Sequence, residues 1–303
     1  MIMIYLNKKI KVIFIGFLSL VIFSFIPNIT FAASAYFTSD YSSISVGDTI
    51  IVNLMLDPKG KKPNVVEGNV LIKEGSQNIK VSNLSIANSK LTYWPQMPSL
   101  DNGSNISFLG GTPGGFNSAG ILFKIIFTAN AEGQVTFFPS EIKAYNNDEK
   151  STPLDVSSTG LTISIGSKAG NVSKDQWLDI TSADNLPPKD LSAVVGQDAS
   201  LFDNKKFITI HATDEQSGIS YYEVKEGSGS TVRSGDTYVL QDQKQLLDII
   251  VTAYDKSGNY SKIILKPVGG KNNYLIWIIV LVIVVLVVYI IFRKLKKKKI
   301  ISK

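Results

Sequence analysis

The 303-residue sequence has no cysteine and a single histidine. The missing cysteines exclude a disulfide scaffold, a thiol nucleophile and a thiolate metal centre. One histidine leaves zinc without its usual nitrogen ligands. Long amphipathic helical periods are also missing between residues 35 and 266, as are the G-x-S-x-G turn of a serine hydrolase and the L-P-x-T-G wall-sorting motif. A Walker-type phosphate loop is excluded too: the glycine-rich stretch 107–120 ends in Gly120-Ile121-Leu122, where a Lys-Ser or Lys-Thr pair would be needed. Basic residues are abundant only where they signal topology. Of 31 Lys and Arg, Lys8, Lys9 and Lys11 lie near the start and seven lie after residue 292. No acid falls in either end, so the middle holds 21 basic against 25 acidic residues, a net charge of −4. That excludes a nucleic-acid-binding face.

What is present divides the chain into parts. Residues 1–35 combine a basic start, an apolar run from Val12 to Ile26 and small residues at Ala32, Ala33 and Ala35, the pattern of a secretory signal peptide cleaved after Ala32 or Ala35. Residues 274–292, YLIWIIVLVIVVLVVYIIF, carry no charge over 19 positions. As a helix they span roughly 28 Å, the thickness of a bilayer's hydrocarbon core. The basic tail 293–303 then predicts a single-pass protein of the cell membrane with its tail in the cytoplasm and the rest outside.

Between these ends the chain reads as all-β. Segments 49–56, 64–74, 78–86, 121–130, 133–138 and 160–165 alternate apolar and polar residues and are bounded by Gly, Pro, Asn and Asp, which predicts a sandwich over residues 36–166. Residues 167–188 lack periodicity, end in a diproline and read as a linker. A second strand series at 206–214, 219–227, 237–242, 246–255 and 260–267 has the spacing of a small sandwich over 189–268.

The stretches SISVGDTIIVNLML (43–56), NVVEGNVLI (64–72) and ISFLGGTPGGFNSAGILFKIIFTANAEGQVTF (106–138) resemble the cohesin family across residues 36–166. The resemblance implies a nine-stranded jelly roll related to carbohydrate-binding modules, non-catalytic, with a calcium-loaded dockerin module as partner. It also makes the glycine-rich loop a connection ahead of a core strand. The second series, through ATDEQSGISYYEV (212–224) and VTAYDKSGNYSKI (251–263), resembles bacterial immunoglobulin-like domains of surface proteins.

Two candidate sites follow from the residues. Asp214, Glu215 and Asp255 supply carboxylates in two Ser-Gly turns and are candidates for calcium, although Asp-x-x-Ser-Gly is also what a plain tight turn selects. Tyr93, Trp94 and Met97 stand among prolines and polar residues outside any alternating strand. They are candidates for stacking on a polysaccharide or anchoring a protein partner, or Trp94 plugs the core. His211 lies in the strand reading FITIHAT with no nucleophile in a recognisable context, so no enzyme is expected. The functional expectation is a surface binding protein that captures a dockerin-like partner; a carbohydrate-binding module and a structural stalk of the envelope are the alternatives.

Overall fold

A computed structural model describes residues 32–101, 103–168, 170, 173–267 and 274–301. Most of the expected signal peptide, residues 1–31, lies outside them.

The first sandwich is built from β1 (Ala33–Ser39), β2 (Ser43–Ser45), β3 (Thr49–Asp57), β4 (Pro63–Glu74), β5 (Ile79–Ser85), β6 (Tyr93–Asp101), β7 (Asn105–Gly111), β8 (Gly120–Ala129), β9 (Gly133–Asn146), β10 (Pro153–Leu154), β11 (Val156–Ser158) and β12 (Leu161–Gly166). One sheet has the order β11-β1-β3-β8-β5. The other runs β2-β12-β9-β4-β7-β6, with β10 beside β9. Alternation decides which side chains face inward: Ile50, Val52, Leu54 and Leu56 of β3 meet Val66, Val70 and Ile72 of β4 in one core. Phenylalanines fill its centre, with Phe127 and Phe137 ring centroids 5.3 Å apart and Phe108 edge-on to Phe123 at 5.1 Å. Each such ring stabilises the fold by about 2–3 kcal/mol through burial alone.

Three sequence expectations need correction here. The sandwich begins at Ala33, because Ala33 and Ala35 are fully buried and β1 pairs with β3 on one side and β11 on the other. Residues 93–101 form a strand despite Pro95 and Pro98. β6 is the edge of its sheet, pairs with β7 alone, and slips register twice, so prolines cost it no ladder partner. The linker is ordered in part: α1 (Gln176–Ala183) is capped by Asp175, whose Oδ1 accepts the Leu178 N–H at 2.9 Å.

That helix docks on the first sandwich. Gln176 Oε1 accepts the Ile51 N–H at 2.9 Å while its Nε2 donates to Asp40 at 2.8 Å. The Lys174 N–H donates to Asp48 at 2.8 Å. Ile51 and Ile126, cross-strand partners on the outer side of the β3–β8 pair, are buried.

The second sandwich comprises β13 (Lys189–Gly196), β14 (Phe207–Thr213), β15 (Ile219–Glu226), β16 (Val232–Ser234), β17 (Thr237–Val239), β18 (Ile249–Asp255) and β19 (Tyr260–Leu265). Its sheets, β13-β14-β17 and β16-β15-β18-β19, enclose Ile208, Ile210, Val224 and Val251. The chain ends in α2 (Tyr274–Ile301). Its side chains are described from Trp277 to Ile291 and at Arg293, and these are exposed. Among the described residues no helix is long and apolar enough to cross a membrane. The ends of the uncharged run, 274–276 and 292, fall outside the described side chains.

Candidate functional site

The two sandwiches are not beads on a string. The Ser85 hydroxyl donates to the Ser217 carbonyl at 2.7 Å, Lys256 Nζ donates to Asn83 Oδ1 at 2.6 Å, and Ile86 packs against both cores. Gly218 is what lets the chains approach. It sits at φ 86°, and a Cβ there would stand 2.6 Å from Ser85 Oγ and 2.9 Å from the Ala87 nitrogen. Together with α1, this seam lies against the outer face of the β1–β3–β8–β5 sheet, at Ile51 on β3 and at Ser85 at the end of β5.

The outer face of the other sheet presents a mixed set of side chains. Leu71 and Phe138 are cross-strand partners, with Lys73 Nζ 3.7 Å from the Phe138 ring centroid. Two same-face pairs further along, beyond Asn69 with Ser107 and Ser140, Glu67 lies opposite Leu109 on one side and Lys143 on the other. Tyr145 donates to Glu67 at 3.0 Å, and Lys143 Nζ is 3.7 Å from the same carboxylate. The hydrogen bond to Glu67 raises the Tyr145 phenol above its usual range. Leu71, Leu109 and Phe138 are half-buried, so the face is partly apolar, with Asn69, Ser107 and Ser140 between its apolar side chains and Glu67 and Lys143 on its interior strands.

The aromatic candidates end in three places. Trp94 is 4% exposed and belongs to the first core, so it is a core residue and not a surface platform. Its indole packs beside Gly110, where a Cβ would meet the ring at 3.0 Å. Met97 is partly buried against the same core, and Tyr93 is 38% exposed at the strand edge. The alternation of β6 was hidden by its prolines, and so was the inward direction of Trp94.

The carboxylate candidates are rearranged. Asp214 and Asp255 do converge, but their third partner is Asp184 at the end of α1, all three with ligand oxygens within 4.8 Å. Glu215 is exposed and stands outside the cluster. Most of the cluster's oxygens are occupied by the turns themselves. Asp255 Oδ1 accepts the Ser257 and Asn259 N–H groups at 2.9 and 2.8 Å, and its Oδ2 accepts the Asn259 amide. Asp184 accepts the N–H groups of Leu186 and Ser217. Asp214 Oδ1 takes the Gly218 N–H at 2.6 Å and the Ser217 hydroxyl at 3.4 Å. Burial first, then the neighbouring Asp184 and Asp255, push the Asp214 carboxyl above its ordinary value. Asp184 was invisible to sequence reasoning because it sits 30 residues away in what reads as linker.

His211 is half-buried on the outward side of β14, opposite Ser192. The glycine-rich loop after β7 is a strand connection: Gly114 and Gly115 have positive φ, and the N–H groups of Thr112 and Phe116 bond the carbonyls of Asn64 and Pro63.

No family model and no curated protein matches this chain. Solved structures similar to it are cohesin domains. The seventh ScaB type I cohesin of Pseudobacteroides cellulosolvens is 15% identical, with a TM-score of 0.40, over 46% of this chain and 96% of that one. A non-cellulosomal cohesin of Archaeoglobus fulgidus is 14% identical, with a TM-score of 0.37, over 45% and 92%. A type I cohesin–dockerin complex of Clostridium thermocellum is 13% identical, with a TM-score of 0.35, over 45% and 96%.

Proposed function

We propose that this chain is a non-catalytic surface binding protein whose first sandwich captures a secreted protein partner of the dockerin type. The observation that carries the reading is the asymmetry of that sandwich. One sheet carries α1 and the second sandwich on its outer side, and the other has none of these elements against its outer face, where Leu71, Leu109 and Phe138 stand among Glu67, Lys143 and Tyr145. Protein interfaces mix apolar side chains with hydrogen-bonding and charged ones in this way. The burial of Trp94 removes the aromatic platform on which the polysaccharide reading leaned. The second sandwich, with sheets of three and four strands, is the immunoglobulin-like spacer of the proposal. The uncharged run 274–292 is its anchor, holding the binding face outside the cell membrane.

The test is capture from the organism's secreted fraction by the full chain, with calcium and with chelator, alongside Leu109→Asp and Phe138→Asp. The expected result is a protein with paired Asp/Asn-rich calcium loops, held only with calcium and lost in both variants at unchanged melting temperature. Retention of an insoluble polysaccharide with no protein overturns the proposal.

A further inference from the structure

Between the two sandwiches lies a cleft of about 280 Å³. That is nearly twice the ~150 Å³ engineered cavity that holds a benzene. The segment joining β5 to β6 and the start of β6 supply one wall, with Leu91 and Trp94, and the second sandwich supplies the other, with Asp190, Asp214, Glu215 and Ile219. Small-molecule sites favour such junctions of two domains. Three of the residues lining the cleft are acidic and none is basic.

The acids are placed differently from one another. Glu215 and Asp190 are exposed, and Asp190 uses Oδ2 to accept the Thr213 hydroxyl at 3.3 Å. Asp214 is 9% exposed, and both of its side-chain hydrogen bonds given above fall on Oδ1. Its negative charge is crowded by Asp184 and Asp255, and the ammonium of Lys124, which Asp214 raises, is lowered on balance by burial. A cation arriving in the cleft would meet an under-compensated buried carboxylate, two exposed carboxylates that can pivot, and an apolar wall.

A compact divalent ion fits this arrangement poorly. Asp190, Glu215 and Asp214 do not form one set with all three ligand oxygens within reach of one another, and the set that does, Asp184, Asp214 and Asp255, has five of its six oxygens already accepting hydrogen bonds. A neutral sugar would donate hydroxyls to these carboxylates but would leave their charge uncompensated. We propose that the cleft takes an alkylammonium or guanidinium group carried on a short apolar stem, the carboxylates holding the charged head and Leu91, Trp94 and Ile219 the stem. Charged donors on carboxylates make the stronger class of hydrogen bond. This does not rest on the capture reading.

The experiment is isothermal titration of the full chain, in a non-ionic sugar-free detergent, with agmatine, acetyl-Gly-Arg-Gly-amide, calcium chloride and glucose. Saturable 1:1 binding of agmatine is expected, weakened about tenfold by the double variant Asp190→Asn/Glu215→Gln at unchanged melting temperature, and by Asp214→Asn, whose amide oxygen still accepts the Gly218 N–H. Added salt should weaken it further. Binding of the peptide as well identifies the occupant as a basic side chain of a partner; agmatine alone identifies a free amine. Saturation by calcium or glucose only, no saturation by any probe, or agmatine binding indifferent to both variants overturns the proposal.

Discussion

Trp94 shows how one inward side chain settles a functional question. Truncating it to alanine removes an indole packed between the first core and the cleft, and Trp94→Ala is expected to cost about 3–5 kcal/mol in chemical denaturation. Lys256 acts at the seam. Burial pushes its ammonium down to about 8 from an ordinary 10.5. The unfolded chain therefore holds that proton more tightly than the folded one, and stability should rise as pH climbs from about 8 toward 10.5. Wild type is expected to gain on the order of 2 kcal/mol over that window relative to Lys256→Met, measured by urea unfolding at each pH. Gly115 has a similarly local role at φ 67°. A Cβ there would stand 2.8 Å from the carbonyl oxygens of Lys62 and Pro63, so the loop has no room for alanine.

At the level of elements, β1 makes a prediction about processing. Cleavage after Ala32 leaves the strand whole, whereas cleavage after Ala35 removes two fully buried alanines and the register with Val156. A chain starting at Tyr36 should melt several degrees below one starting at Ala33, and sequencing of the exported protein should begin at Ala33. The same elements show what the sequence could and could not disclose. β3 and β8 were legible because they are runs rich in Ile, Leu, Val and Phe flanked by turn residues, and β18 because its alternation is unbroken. β6 was not, because an edge strand with two prolines loses the period that marks it. Helix α1 is only eight residues long, too short for a period to register, and it owes its place to Gln176 and Asp175. Asp214 and Asp255 could be paired from their matching turns, but Asp184 and the cleft exist only once the domains meet.

On the scale of the molecule, the seam joins two cores through Ile86, Ser85 and Lys256. Calorimetry of the full chain is expected to show the two sandwiches melting together, with calorimetric and van't Hoff enthalpies in agreement. Gly218→Val, which forces a side chain into Ser85 and Ala87, should split the transition in two.

The docked linker has a mechanical consequence. A partner pulling on the first sandwich while the chain's end is held would load the seam and α1 together, in shear across short hydrogen bonds at Ser85, Asn83 and Gln176. Once those yield, residues 167–188 pay out on the order of 70 Å of extended chain before either core is stretched. The segment that reads as a plain tether is thus a coiled reserve of length, drawn only under tension, that spares the sandwiches from unfolding.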